Sequence, residues 1–212
     1  MSWNTVDKWL HQAVLFAQQF NAHVLHGYEI IELQADEIRT FAGSKKRVRW
    51  VFTALEVSSR LWVGLAVGSR TYKNVTRCLF DVLLRGCFYG RFLFTTDGFE
   101  MYKWFVNRYL VGACVYGQVI KKRKKNRVTK VKRNLLCGTQ KQRDDALVNS
   151  EDSSTLNTSF VERHNLTIRQ GSAILCRRSA CHSREGSTLQ KHLEWLRFLW
   201  YSPTLAFRLN NT

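Results

Sequence analysis

Three acidic residues of this chain lie among neighbours that predict burial: Asp36, Asp97 and Glu162. A buried carboxylate needs a compensating partner, because its charge is costly to remove from water. When carboxylates converge from different elements, a divalent cation relieves their repulsion, and such oxygen ligands suit Mg²⁺ or Mn²⁺. Two such ions about 4 Å apart activate a water or a DNA 3′-hydroxyl on one side of a phosphorus and stabilise the leaving oxygen on the other. The three residues would therefore suit metal-dependent chemistry on phosphodiesters.

Residue type alone leaves a plainer interpretation open for each acid. Asp97 precedes Gly98, and Asp-Gly is a common turn signal. An acid at the start of a helix commonly caps its free backbone N–H groups. The decision between a site and three ordinary acids therefore depends on the elements that position them.

Hydrophobic spacing in the first part of the chain predicts a helix followed by strands. Apolar residues recur at three- and four-residue steps over 3–26, which is typical of an amphipathic helix. Alternating apolar residues predict a strand over 28–36, with Asp36 at its end. The β-branched and aromatic runs 50–57 and 61–67 predict a hairpin.

The rest of the chain alternates helical and extended patterns. The predicted elements are a helix over 72–85, a buried strand over 92–95 that leads into Asp97, a helix over 98–110, strands over 115–120 and 127–133, a polar mobile loop over 138–157, a helix around Glu162, and a helix over 189–199 that Pro203 closes. This order predicts an α/β fold, a mixed sheet flanked by helices whose first three strands are antiparallel.

The composition predicts a folded protein with a polyanionic partner. Hydrophobic residues make up 45% of the chain, which excludes the disordered class, and 33 Lys and Arg against 16 Asp and Glu give a net charge of +17. Nucleic acid is the partner that such a charge favours, although a basic surface facing solvent would give the same number.

The strongest charge cluster lies on the predicted hairpin 115–133. Its members are Lys121, Lys122, Arg123, Lys124, Lys125, Arg127, Lys130, Lys132 and Arg133. Cations on an exposed ribbon bind nucleic-acid backbones with strong, salt-sensitive and sequence-independent affinity. A charged edge that discourages aggregation is the alternative.

The lengths of the apolar runs and the spacing of the cysteines indicate the cellular compartment in which the protein works. The longest apolar runs fall well short of the roughly 20 residues that span a bilayer, which predicts no membrane association. The six cysteines include no CxxC pair, so free thiols in a reducing compartment are expected. We expect a cytoplasmic protein, associated with the nucleoid if the source is bacterial.

Three sequence blocks resemble, in order, the acidic motifs of bacterial insertion-sequence transposases of the DDE type, which have a ribonuclease H-like core. The blocks are 33–37 (Leu-Gln-Ala-Asp-Glu), 94–98 (Phe-Thr-Thr-Asp-Gly) and 156–165 (Leu-Asn-Thr-Ser-Phe-Val-Glu-Arg-His-Asn). The third is the most specific, because it keeps the pattern Asn-Thr-Xaa-Xaa-Xaa-Glu-Arg-Xaa-Asn and is followed by Arg169. The resemblance covers roughly residues 28–208.

This resemblance implies a ribonuclease H-like catalytic domain over 28–212, in which Asp36, Asp97 and Glu162 bind Mg²⁺ or Mn²⁺ and catalyse DNA cleavage and strand transfer in transposition. The DNA partners would be the ends of the mobile element and the target, bound by a homo-oligomer in a synaptic complex. A related ribonuclease H-like nuclease or resolvase would use the same three acids.

Two residues near Glu162 and one near Asp36 are also interpreted by position. Asn165 and Arg169 lie at i+3 and i+7 from Glu162, on one helical face, so they are expected to contact a DNA phosphate beside the metal ions. A helix face exposed to solvent is the alternative for both. Glu37 is expected to point away from Asp36, because consecutive residues of a strand face opposite sides.

The chain departs from the resembled family in its first segment. Such transposases usually carry an N-terminal DNA-recognition module, whereas residues 1–27 predict only one helix, a remnant of such a module. A lone helix cannot form a helix-turn-helix. We therefore expect that a separate N-terminal chain supplies DNA recognition, or that this is a catalytically decayed or regulatory copy that only binds nucleic acid.

Overall fold

The computed structural model describes residues 2–125, 127–148, 150, 154–176, 181 and 183–209. Its helices are α1 (Trp3–Val24), α2 (Tyr72–Arg85), α3 (Glu100–Tyr109), α4 (Gln140–Val148), α5 (Ser159–Gly171) and α6 (Gly186–Leu209). Its strands are β1 (Tyr28–Glu29), β2 (Glu32–Ala42), β3 (Ser44–Glu56), β4 (Trp62–Gly68), β5 (Gly86–Cys87), β6 (Phe92–Thr96), β7 (Cys114–Lys124) and β8 (Arg127–Cys137). In these parts of the chain, no helix combines the length and hydropathy needed to cross a bilayer.

One six-stranded mixed sheet, in the order β4-β3-β2-β6-β7-β8, organises the molecule. The long strands β2, β3 and β4 pair antiparallel, β6 lies parallel to both β2 and β7, and β8 returns antiparallel to β7. Helices flank the sheet, and the short strands β1 and β5 form a separate parallel pair. The predicted α/β class with an antiparallel start is confirmed, and the arrangement is ribonuclease H-like.

Strand β2 is longer than its parallel neighbour, and this difference sets the position of Asp36. The pairing of β2 with β6 ends at Ala35 opposite Thr96, whereas β2 continues beside β3 as far as Ala42. The prediction that Asp36 ends a strand is therefore wrong. Asp36 lies inside β2, at the point where one neighbouring strand stops and a cavity opens beside it.

The sheet edge at β4 is covered by helices, as an edge with free backbone groups requires. Gly64 allows α2 to pack closely, because a Cβ at this position would lie 2.8 Å from Cys78 Sγ. From α6, the fully buried Arg197 donates to the carbonyl oxygens of Trp62 at 2.8 Å and Val63 at 2.7 Å. These bonds fix α6 against the terminal strand of the sheet.

Two predictions in the C-terminal half are wrong. The polar segment predicted as a loop contains helix α4, which docks on the sheet through the buried Leu147. The hydrophobic periodicity of α4 is weak because Leu147 is its one buried residue. Residues 149 and 151–153 of the predicted loop lie outside the described residues. Helix α6 continues past Pro203 to Leu209, since a proline inside a helix costs one hydrogen bond without necessarily ending it.

Helix α5 is anchored on β2 through the side chain of Gln34, which is fully buried. Its Oε1 accepts hydrogen bonds from the backbone N–H groups of Phe160 and Val161, both at 3.1 Å. These N–H groups belong to the first turn of α5, where no partner exists within the helix. Gln34 therefore caps α5 from a neighbouring strand and fixes where the helix begins relative to the sheet.

Helix α5 is also held by aromatic packing. The buried ring of His164 lies edge-on between Trp62 and Trp200, with ring centroids 4.9 and 4.6 Å away. Burial, followed by the nearby charge of Arg197, lowers the pKa of His164 to about 3. A neutral imidazole packed against two indoles therefore joins α5 to β4 and α6.

We predict that Gln34→Leu destabilises the fold by about 2–4 kcal/mol, because it leaves one buried and one partly buried N–H group without an acceptor. Urea unfolding followed by circular dichroism measures this loss. Gln12→Leu, at an exposed position of α1, is the matched control and should change stability little. Equal unfolding midpoints for the two variants would show that Gln34 does not anchor α5.

Candidate active site

The three acids predicted from sequence line one cavity of about 470 Å³, located beyond the carboxyl end of β6, where its pairing with β7 ends. Asp36 comes from β2, Asp97 follows β6 directly, and Glu162 lies in the first turn of α5. One carboxylate oxygen from each of Asp36, Glu37 and Asp97 lies within 4.8 Å of the other two. Glu162 stands on the cavity wall outside this cluster of three.

Asp36 is oriented by a chain of hydrogen bonds across the sheet. The amide nitrogen of Asn165, in α5, donates to Asp36 Oδ2 at 2.9 Å. The hydroxyl of Thr53, in β3, donates to Asn165 Oδ1 at 2.8 Å. Because both ends of the Asn165 amide are engaged, the Asp36 carboxylate is held toward the cavity by two elements other than its own strand.

Asp97 is held by the turn that begins α3. Its Oδ1 accepts a hydrogen bond from the backbone N–H of Phe99 at 2.9 Å. The intervening Gly98 passes close to β7, because a Cβ there would lie 3.1 Å from Ile120 Cγ1. The turn signal read from Asp97-Gly98 is therefore present, and this turn places the carboxylate at the cavity.

Glu162 is paired with a cation from the basic ribbon. Its Oε1 accepts a hydrogen bond from the Thr158 hydroxyl at 2.6 Å and forms an ion pair with the ammonium of Lys121. Lys121 belongs to β7, so this contact joins the charge cluster to the cavity. The resemblance groups Glu162 with the two aspartates; in the structure it lines the same cavity but lies outside the cluster of Asp36, Glu37 and Asp97.

Glu37 is the acid that the sequence reasoning missed. It leaves β2 on the face opposite Asp36, and its side chain is only 2% exposed. Arg70 Nε donates to its Oε1 at 2.7 Å, and Tyr102 Oη lies 3.5 Å from Oε2. The prediction that Glu37 points away from Asp36 rested on strand alternation alone, and alternation does not show that this long side chain brings an oxygen within 4.8 Å of Asp36 and Asp97.

Burial raises the pKa values of all three clustered carboxyls. The pKa of Asp36 rises to about 6, through burial and the charges of Asp97 and Glu162, while its hydrogen bonds with the Glu37 backbone and Asn165 oppose the rise. The pKa of Glu37 rises to about 8, through burial and Asp97, against the opposing effect of Arg70. Burial also raises the pKa of Asp97. Such shifts arise where carboxyls are buried close together, and they cluster at functional sites.

The two residues predicted to contact DNA from α5 have different positions. Asn165 is buried and bonded to Asp36 and Thr53, so the role that the structure gives it is to orient Asp36. Arg169 makes a solvent-exposed hydrogen bond, in which its Nη2 donates to the backbone carbonyl of Arg39 at 3.3 Å. A phosphate contact by either residue stays a prediction.

The predicted basic hairpin forms the ribbon β7–β8, which extends the sheet. Lys122 lies directly opposite Lys130, and Lys132 lies opposite Ile120. The exposed cations of the ribbon are Lys122, Lys124, Lys125, Arg127, Lys130, Lys132 and Arg133. Like charges directly across two strands repel each other, so this ribbon is better suited to holding a polyanion than to stabilising the fold.

Two cations of the cluster have structural partners. Arg133 Nε donates to the carbonyl of Leu156 at 2.8 Å, and Lys121 pairs with Glu162. The side chain of Arg123 lies outside the described residues. Lys121 therefore belongs to the cavity wall, and Arg133 bonds to the segment before α5.

Comparison with known families agrees with this geometry. The sequence model of a family described as IS1 transposase matches residues 29–141, which is more than half of the chain. The matched stretch contains Asp36 and Asp97 and ends before Glu162. None of the curated proteins compared with the chain matches it.

We predict that Asp36→Asn stabilises the metal-free protein at pH 7 by about 2–3 kcal/mol. The folded pKa of about 6 lies above the ordinary value of 3.8, so the folding contribution of Asp36 is full below pH 3.8 and is lost as the pH rises through 6. Unfolding in urea with EDTA, at pH 5 and pH 7, measures the difference.

The matched control for this prediction is Asp145→Asn, at an exposed position of α4. It should leave the decline in stability between pH 5 and pH 7 as it is in the wild type, whereas Asp36→Asn should make that decline shallower, the remainder coming from the raised pKa values of Glu37 and Asp97. Identical pH profiles for the wild type and Asp36→Asn would contradict the buried, charge-repelled state of this carboxyl.

Proposed function

The chain belongs to the IS1 transposase family, and from that premise we propose that it cleaves DNA and joins DNA strands with Mg²⁺ or Mn²⁺ held by Asp36, Asp97 and Glu162. The family serves the transposition of an insertion sequence. The observation that carries the proposal is the carboxylate cluster beside the parallel strands, where oxygens of Asp36 and Asp97 lie within 4.8 Å of each other.

The donor set fits a hard divalent cation. Carboxylate oxygens that repel one another in a half-buried cavity are the ligands that Mg²⁺ and Mn²⁺ prefer. Glu162 faces the same cavity and would complete the set once Lys121 releases it. Bound metal would activate a water or a DNA 3′-hydroxyl for attack on phosphorus and stabilise the leaving oxygen.

The residues around the acids position them for this reaction. Asn165 holds Asp36, and the Phe99 backbone holds Asp97. A reactive group that is fixed before the substrate arrives loses less entropy in the reaction. Lys121, once released from Glu162, is placed to contact a DNA phosphate at the cavity rim.

The ribbon β7–β8 would bind the DNA backbone next to this cavity. Its exposed lysines and arginines attract phosphates regardless of sequence, and Lys121 shows that one end of the ribbon reaches the cavity wall. The DNA partners would be the ends of the element and the target, brought together by a homo-oligomer.

We also propose the domain division inferred from sequence, with a catalytic domain over 28–212 and an N-terminal helix before it. Helix α1 packs against α6, where the rings of Phe20 and Phe198 lie 4.9 Å apart. This packing suits a helix that belongs to the body of the catalytic domain. It equally suits a helix left from a DNA-recognition module, and in that case a separate chain would recognise the DNA.

We predict that Asp97→Asn and Glu162→Gln each lower metal-dependent DNA cleavage by about a thousandfold or more, a loss of about 4 kcal/mol in transition-state stabilisation. The assay follows nicking and strand transfer of end-labelled element DNA with Mg²⁺, Mn²⁺ or EDTA. Glu100→Gln removes an exposed charge from the same cavity outside the cluster and should retain most of the activity.

Undiminished cleavage in Asp97→Asn would reject the catalytic assignment. Binding of DNA without cleavage by the wild type, under every metal condition, would favour the alternative of a protein that only binds nucleic acid. Cleavage confined to branched DNA, with no strand transfer, would favour a resolvase.

We predict that the pair Lys122→Gln and Lys130→Gln weakens DNA binding and lowers the slope of log affinity against log salt by about 1.8, because each phosphate contact contributes about 0.9. Fluorescence anisotropy at several salt concentrations measures the slope. The pair Lys8→Gln and Lys141→Gln also removes two positive charges, from exposed positions on α1 and α4. An equal slope change in both pairs would show that net charge, rather than the ribbon, binds the DNA.

A further inference from the structure

A cation lies among the acids of the candidate active site. Arg70, between β4 and α2, donates from Nε to Glu37 Oε1 at 2.7 Å, and its Nη2 lies 2.5 Å from the same oxygen. That Nη2 also lies 3.9 Å from Asp97 Oδ2. The guanidinium therefore touches Glu37 closely and Asp97 at the limit of an ion pair.

Arg70 is fixed in this position by two aromatic rings. The guanidinium carbon lies 4.0 Å from the ring centre of Phe99 and 4.7 Å from that of Trp50. A planar guanidinium between aromatic faces gains cation–π attraction and loses rotational freedom. Phe99 also donates its backbone N–H to Asp97, so one residue holds both Asp97 and the cation beside it.

The carboxylate of Glu37 lies close enough to Asp36 and Asp97 to bind a metal with them, but it is bonded to Arg70 instead. One of its oxygens lies within 4.8 Å of ligand atoms from Asp36 and Asp97, which is close enough for the three to share an ion. Its Oε1 receives both contacts from Arg70, and its side chain is 2% exposed. A metal that bound Glu37 would have to displace a bonded, ring-stacked guanidinium.

We propose that Arg70 withholds Glu37 from the metal site, an inference that rests on the proposed function. The Arg70 guanidinium occupies Glu37 and offsets any charge on it, so the site offers a cation the carboxylates of Asp36, Asp97 and Glu162 without a free fourth one. The number of ligand charges tunes the affinity of a site for a divalent ion. Arg70 is thus a positioning residue that sets ligand number and restrains Asp97.

The test is titration of the full chain with Mn²⁺, without DNA, in an isothermal calorimeter. Arg70→Gln should bind Mn²⁺ about tenfold more tightly, because a cation leaves the site and Glu37 becomes available. The double variant Arg70→Gln with Glu37→Gln should return to within about threefold of the wild type. Arg108→Gln, which removes one charge from the exposed face of α3, should leave the affinity unchanged.

Thermal unfolding keeps the inference testable if Arg70→Gln is unstable. Without metal this variant should unfold at a lower temperature than the wild type, since it leaves a buried carboxylate without its partner, and Mn²⁺ should raise its unfolding temperature by more than that of the wild type. A variant that folds only with Mn²⁺ supports the inference. A crystal structure of Arg70→Gln with Mn²⁺ should show a Glu37 oxygen bound to the metal.

Any one of three results would overturn the inference. Arg70→Gln binds Mn²⁺ no more tightly than the wild type, or the double variant binds Mn²⁺ tenfold more weakly than the wild type. The third is a structure of the wild type with Mn²⁺ in which Glu37 coordinates the metal. Failure of the proposed function has a different signature, because Asp97→Asn would then bind Mn²⁺ as the wild type does. A wild type without Mn²⁺ binding counts against the proposed function, and Arg70→Gln still decides the role of Arg70.

Discussion

The mutual repulsion of Asp36, Glu37 and Asp97 is the constraint on which the candidate site depends. Unit charges 4.8 Å apart repel by about 3–4 kcal/mol at an effective dielectric constant near 20, and burial adds to the cost of each charge. Burial is the largest cause of the raised pKa values of the three carboxyls, and repulsion by Asp97 adds to it at Asp36 and Glu37. Left alone, such side chains would turn toward solvent, so their convergence requires fixed partners.

The partners come from both faces of β2. On one face Asn165 holds Asp36 and Gln34 anchors the start of α5, so the strand that carries the first acid also fixes the helix that carries the third. On the other face Arg70 holds Glu37. Because these bonds start from residues separated by one or two positions in a single strand, a shift of β2 by one residue would disrupt the whole cluster.

The sequence predicted the elements better than the contacts between them. Helix α2 and strand β6 were predicted within one residue of their bounds, because strong periodicity and β-branched runs are local signals. The place of Asp36 within β2 was not predictable locally, since it depends on where a different strand stops. The contact of Arg70 with Glu37 joins positions 33 residues apart, and no spacing rule in a single sequence gives such a pair. Helix α4 was missed for a similar reason, because its one buried anchor, Leu147, finds its partners on distant strands.

The ion pair of Lys121 with Glu162 links the two charge systems of the molecule. Along β7–β8 positive charges face one another across the strands, and in the cavity negative charges converge, so each region is unfavourable by itself. Among the described residues, the ion pair of Lys121 with Glu162 is where the ribbon contacts the acids of the cavity, and it neutralises one charge of each region. A polyanion on the ribbon and a divalent cation in the cavity would each compete for one member of that pair. Under the proposed function, binding of either ligand would therefore free a group that the other can use, so DNA and metal binding would favour each other through a single contact.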